Sequence, residues 1–82
     1  MNVEHLVKMA NDIAAFFQAE SSPAQAPQDV ASHLKRFWDP RMRREILAHL
    51  DGGGAGLSGL ARRAVELLAA GTKAERGRTV TR

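Results

Sequence analysis

Apolar residues in the first segment recur at three- and four-residue spacing, which places them in one stripe along a helix. The stripe is formed by Val3, Leu6, Val7, Ala10, Ile13, Ala14 and Phe17. Asn2 is suited to cap the start of this helix, and Ser21, Ser22 and Pro23 end it. Met9 and Phe16 lie beside the stripe and widen the apolar sector to about half the circumference. One neighbouring helix does not cover a sector of that width.

A loop and a second helix follow. Residues 21–28 contain Pro23 and Pro27 and no large apolar residue, so they predict a loop, although Pro27 is also suited to begin a helix. From residue 28 to residue 38 the apolar positions share a face again. They are Val30, Ala31, Leu34, Phe37 and Trp38. The pattern predicts a second helix that ends at a corner.

The pair Asp39 and Pro40 predicts that corner and the start of a third helix. Proline disfavours helical geometry at the residue before it but fits the first helical position, where Asp39 can cap the amides. The third helix is predicted from Pro40 to about Leu50, with an inner face of Met42, Ile46, Leu47 and Leu50. Three glycines at 52–54 then predict a flexible exit.

The fourth helix has the most regular stripe of the chain. It begins at about Leu57, and Gly71 is a suitable residue to end it. Its stripe contains Leu57, Leu60, Ala61, Ala64, Val65, Leu67 and Leu68, with Arg62, Arg63 and Glu66 opposite. The sequence thus predicts an all-α fold, a small bundle of about four helices over residues 1–71, and a disordered basic tail over residues 72–82.

Size and composition limit what this bundle does alone. The chain has 82 residues, no cysteine and a formal charge of +3. A core this small leaves only about 3–5 kcal/mol of stability, and disulfides and thiolate metal sites are excluded as supplements, so association with a partner is expected. No segment has the apolar length of a membrane span or signal peptide. We therefore expect a cytoplasmic protein without a membrane partner.

The densest chemical feature is the basic, aromatic segment 33–44, which surrounds the predicted corner. One interpretation is that Phe37 and Trp38 anchor the core while the cations are solvated. Arg43 does not fit this interpretation, because helical periodicity places it between Leu47 and Leu50 in the apolar sector. It therefore reaches solvent, pairs with an internal carboxylate, or is covered by a partner that supplies one.

A nucleic-acid-binding helix-turn-helix is an alternative for the same segment. Its arginines would contact phosphates. However, the third helix would use Ile46, Leu47 and Leu50 for packing and offers no Asn, Gln, Ser or Thr for base edges. We therefore do not expect a nucleic-acid partner.

No catalytic, cofactor or metal site is predicted. His5, His33 and His49 are dispersed, and no cysteine or closely spaced carboxylates join them. The glycines between 52 and 56 lack the lysine and hydroxyl of a phosphate loop and follow a helix, so they predict a linker. No nucleophile and base can be assigned.

Two strings, LVKMANDIAAFF at 6–17 and HLKRFWDPRMR at 33–43, resemble the delta subunit of NAD-dependent formate dehydrogenase. The resemblance covers approximately residues 3 to 70. One departure is Asp12, where an uncharged amide is expected. The resemblance implies a small non-catalytic accessory subunit of a soluble bacterial complex that oxidises formate to carbon dioxide.

In that family the chemistry belongs to other subunits. The large alpha subunit carries a molybdenum or tungsten bis-pterin cofactor and iron–sulfur clusters, and the beta and gamma subunits are implied to supply FMN, further clusters and the NAD site. This chain, which has no cysteine and no strand-and-glycine nucleotide pattern, is expected to hold none of these groups. A transient chaperone of assembly or cofactor insertion is an alternative role.

We expect docking on the large subunit, with the Phe37–Arg43 corner as anchor and Arg41 or Arg43 meeting carboxylates of the partner. Met, Trp, Phe and Arg are enriched at protein interfaces, which supports this choice. The predicted partner-binding residues are Met9, Phe16, His33, Arg36, Phe37, Trp38, Asp39, Pro40, Arg41, Met42 and Arg43.

Overall fold

The computed structural model describes the backbone of residues 2–80 and the side chains of residues 2–71. It contains four helices in this range: α1 (Val3–Glu20), α2 (Ala26–Phe37), α3 (Pro40–Asp51) and α4 (Gly59–Val80). No strand occurs among the described residues. The predicted all-α fold with four helices is confirmed.

The helix ends follow from residues that bond to free backbone groups. The Asn2 Oδ1 atom accepts a hydrogen bond from the Glu4 amide at 2.8 Å, which caps α1 as predicted. The second helix begins at Ala26, two residues earlier than expected, and Pro27 lies in its first turn, where its missing N–H is not needed. Asp39 caps α3 by accepting from the Met42 amide at 2.9 Å. The corner at Asp39 and Pro40 is therefore confirmed.

The fourth helix begins at Gly59, and the Ser58 hydroxyl accepts a hydrogen bond from the Ala61 amide at 3.2 Å. Its helical backbone runs past Gly71, where the sequence placed the end, to Val80. Glycine lowers helix propensity by about 1 kcal/mol, which does not by itself end a helix. The predicted disordered tail falls on residues 72–82, whose side chains lie outside the described residues.

A single apolar cluster holds the four helices together. The second helix packs most extensively on α4, while α1 contacts the other three. The cluster consists of Leu6, Val7, Ala10, Ala14, Val30, Leu34, Trp38, Ile46, Ala61, Ala64, Val65 and Leu68. Most of these residues were placed on inner faces by their spacing. Leu67 was also placed there, but 41% of it is exposed.

The glycine segment is an ordered connection and not the flexible linker predicted from its composition. The Asn11 side chain donates to the Gly56 carbonyl at 2.9 Å and accepts from the Ser58 amide at 2.8 Å. Nε2 of His49 hydrogen bonds with the Ala55 carbonyl at 2.8 Å, and Arg62 donates to a further carbonyl of the segment. Asn11 lies 45 residues before Gly56, so only the folded chain brings it to the loop, whereas His49 and Arg62 are near the segment in sequence.

Gly54 shows why the segment needs glycine. Its φ of +66° lies in the left-handed region that other residues rarely adopt. A Cβ atom at this position would lie 3.1 Å from the Arg62 Nη2 atom and 3.2 Å from the Leu50 Cδ1 atom. Arg62, which the sequence placed on the solvent face, therefore packs over this turn.

Candidate protein-docking surface

Four rings form a continuous row along the seam between α1 and α2, which we call the aromatic strip: Phe16, Phe17, His33 and Phe37. The Phe16 and Phe17 centroids are 5.1 Å apart with nearly perpendicular planes. The Phe17 and His33 centroids are 6.0 Å apart, and those of His33 and Phe37 are 4.7 Å apart. Each separation lies in the range of favourable ring pairs.

The two ends of the strip are exposed to an unusual degree for phenylalanine. Phe16 is 59% exposed and Phe37 is 68% exposed. The middle of the strip is half-buried, since Phe17 packs against the apolar cluster. Contiguous exposed apolar patches of proteins often mark interaction sites, because apolar area in contact with water is unfavourable.

Helix geometry explains how the strip forms. Phe17 on α1 meets His33 on α2, and Ser21 meets Asp29, so the two helices run in opposite directions. His33 and Phe37 are four residues apart and therefore lie on one side of α2. Phe16 precedes Phe17 in the chain and lies beside it on the outer side of α1. The strip is thus fixed by the pairing of α1 and α2.

Charged groups border the strip at the α2 side. The Arg36 guanidinium lies 5.9 Å from the Phe37 ring centroid, within range of a cation–π contact. Asp29 accepts hydrogen bonds from the Ser21 hydroxyl and the Gln25 amide, and these bonds lower the pKa of its carboxyl below the ordinary value of 3.8. Two shallow depressions of about 240 Å³ each flank His33. The border carries charge of both signs.

The structure gives Trp38 a role inside the fold. Its side chain is 4% exposed and belongs to the apolar cluster. It occupies the cap position after α2, where an extended backbone with φ −85° and ψ 139° redirects the side chain. Phe37, which the sequence placed on the same inner face, remains outside. The interpretation in which both rings anchor the core is therefore wrong for Phe37, and contact of Phe37 or Trp38 with a partner stays a prediction.

Arg43 has hydrogen-bond partners that the sequence analysis did not foresee, and its cover by a partner that supplies a carboxylate stays a prediction. Its Nη1 atom donates to the carbonyl oxygens of Lys35 at 2.8 Å and Trp38 at 2.7 Å. The last carbonyls of a helix lack partners within it, and a cation near them is favourable. Arg43 therefore closes the end of α2 from α3 and stabilises the corner.

The other predicted residues are distributed around the molecule. Phe16, His33, Arg36 and Phe37 come together at the aromatic strip. Met9 and Met42 are half-buried against the apolar cluster, and Pro40 and Arg41 are exposed at the corner. Sequence reasoning assigned Phe17 to the core alone, although its position next to Phe16 signals a shared surface.

The described residues add two further findings. No three His, Asp or Glu side chains among residues 2–71 come together as a possible metal site. Among the described helices, none combines the length and apolarity that crossing a bilayer requires.

The fold and the strip define a small helical protein with an exposed apolar surface that is bordered by charged groups. The family model for the NADH-dependent formate dehydrogenase delta subunit, FdsD, matches residues 5–65, which is most of the 82-residue chain. The chain belongs to this family. The match includes the two strings at 6–17 and 33–43, so the resemblance noted from them is confirmed. No curated protein and no solved structure matches the chain.

Proposed function

We propose that this chain is a non-catalytic accessory subunit of a soluble, cytoplasmic NAD-dependent formate dehydrogenase, and that it docks on the large catalytic subunit through the aromatic strip. Membership of the delta subunit family supports the complex. The observation that supports the docking surface is the exposure of Phe16 and Phe37 on one continuous row of rings. The molybdenum or tungsten cofactor, iron–sulfur clusters, FMN and NAD would all be bound by the alpha, beta and gamma subunits.

The strip has the energetic character of an interface centre. Burying the exposed part of each phenylalanine would contribute about 1–2 kcal/mol. Arg36 lies at the edge of the same surface, where a partner carboxylate would pair with it and favour one orientation. Interfaces commonly combine such apolar centres with a polar rim.

This surface differs from the one inferred from sequence. The corner retains exposed Pro40 and Arg41, which extend the docking surface beyond Phe37. Trp38 supports the corner by filling the core, and the exposed Asp39 supports it by capping α3. We therefore place the centre of docking on the strip and the arginines at its border.

Co-purification tests this proposal. The tagged chain would be expressed with the formate dehydrogenase subunits, and the retained large subunit would be quantified for the native chain and for the double variant Phe16→Ser, Phe37→Ser. We expect the double variant to fold and to lose most of the large subunit. Arg36→Glu should weaken retention more than Arg63→Glu, a matched reversal at an exposed arginine on α4.

Three results would contradict parts of the proposal. If the native chain emerges without formate dehydrogenase subunits, membership of the complex is wrong. If the double variant retains them fully, the strip is not the docking surface. If the chain is found only with large subunit that lacks its cofactors, the transient assembly role replaces that of a resident subunit.

A further inference from the structure

A second surface lies where α2, α3 and α4 meet, at the end of α2. It is a groove of about 300 Å³, which we call the α2–α4 groove, lined in part by Ala31, Lys35, Arg43, Leu67 and Gly71. Leu67 is 41% exposed and gives the groove an apolar wall. The groove thus combines an apolar contact with cationic groups.

The groove lies on a different side of α2 from the aromatic strip. Ala31 and Lys35 each lie two residues before a member of the strip, His33 and Phe37 respectively. Two residues correspond to about 200° around a helix, so the two pairs lie on nearly opposite sides of α2. Ser32, which lies between the two pairs, lines both the groove and the depression beside His33, so the two surfaces adjoin at this residue.

The charges of the groove favour one kind of ligand. Among the described residues that line it, Lys35 and Arg43 are cations and none is a carboxylate. Lys35 already has a contact of its own, so the charge that the groove offers a ligand is that of Arg43. The end of α2 adds negative partial charge, but the Nη1 atom of Arg43 already occupies its carbonyls. The remaining character of the groove is cationic and apolar.

Arg43 is positioned for a specific contact. Because Nη1 is fixed on two carbonyls, the guanidinium plane is held in place. Its opposite edge, formed by Nε and Nη2, makes no hydrogen bond to the described residues. That edge has two parallel N–H groups, the arrangement that binds both oxygens of a carboxylate.

We propose that the α2–α4 groove binds an acidic segment of a second polypeptide, with one Asp or Glu carboxylate on the Nε and Nη2 edge of Arg43 and an apolar neighbour on Leu67. The chain would then have two docking surfaces on opposite sides of α2. It would connect two polypeptides and not merely cover one. This inference does not depend on the identity of the partner at the strip.

The first test uses the isolated full chain and a simple probe. N-acetyl-glutamate N-methylamide would be titrated while NMR follows the Arg43 Nε–H signal and the backbone amide signals of Leu67 and Gly71, which are also present in the Arg43 variant. The glutamine analogue is the neutral control. We expect a saturable shift with the glutamate probe only, and binding about tenfold weaker in Arg43→Lys, which retains the charge but cannot make the paired contact. Equal shifts with both probes, or equal movement of the Arg63 signal, would overturn the proposal.

The second test uses the complex purified with its companion subunits, and so rests on the proposed function. A carbodiimide joins Lys35 directly to a carboxylate in contact with it, and mass spectrometry identifies the acid. We expect Lys35 to be coupled to a companion subunit. Leu67→Glu places a competing carboxylate in the groove and should reduce this coupling at least severalfold. The Phe16→Ser, Phe37→Ser variant should leave the coupling unchanged in whatever complex remains. Coupling of Lys35 only to Glu66 or Glu75 of its own chain would refute the second surface while leaving the proposed docking through the strip intact.

Discussion

Trp38 and Phe37 are adjacent aromatic residues that should respond oppositely to removal. Trp38 is 4% exposed in the apolar cluster, whereas Phe37 is 68% exposed on the aromatic strip. Substituting each with alanine removes a large ring from the same corner of the molecule. The structure predicts that the first substitution acts on folding and the second on docking.

The expected magnitudes follow from burial. Removing a buried large aromatic side chain costs about 3–5 kcal/mol, which equals the whole stability expected for a domain of this size. Trp38→Ala should therefore leave most of the chain unfolded. Phe37→Ala loses its contact with His33 and little buried area, so its cost should be about 1 kcal/mol or less.

Urea unfolding followed by far-ultraviolet circular dichroism measures both effects. Fluorescence is unsuitable for comparing the variants, because Trp38 is the only tryptophan of the chain. We expect no folded baseline for Trp38→Ala and a midpoint within about 1 M of the native one for Phe37→Ala. Trp38→Phe is the control, since it keeps much of the volume and should fold. If both alanine variants lose stability equally, the assignment of one ring to the core and the other to the surface is wrong.

Three further predictions test the loop, the fourth helix and the border of the strip. Asn11→Ala removes both hydrogen bonds to the glycine segment and should lower the free energy of unfolding, measured by urea unfolding, by about 1–2 kcal/mol. No change would show that the loop is held in place without Asn11. Gly71→Ala should raise the thermal midpoint and increase the free energy of unfolding by about 0.5–1 kcal/mol, because the backbone there is helical and an added Cβ meets no atom within 4 Å. A lower midpoint would argue against the continuous helix. The pKa of Asp29 is lowered by bonds from Ser21 and Gln25, so its stabilising effect is present above the ordinary pKa of 3.8 and is lost as the pH falls through the lower folded value. Asp29→Asn should remove that part of the acid sensitivity in thermal unfolding between about pH 5 and pH 2, and an unchanged profile would contradict the assignment.

The candidate site was only partly predictable from sequence. Phe16 was identified because it lies outside the stripe of α1, and His33 and Phe37 because they belong to the unusual segment 33–44. Their meeting in one strip depends on the antiparallel pairing of α1 and α2, which helical periodicity does not specify. Arg43 was recognised as a misplaced cation, but its actual partners are carbonyls at the end of another helix. Periodicity describes one helix at a time and cannot show such a partner.

The sequence by itself determined the four helices, the corner and most of the core. Local spacing places apolar residues on one face, and Asn2, Asp39 and Pro40 specify helix ends through bonds with near neighbours in the chain. Only the tertiary structure decided which apolar residues stay outside. Trp38 turns inward because its backbone is extended after α2, and Phe37 stays outside on the strip. The order of the glycine segment also depends on tertiary structure, because Asn11 of α1 bonds to it only when the helices have packed.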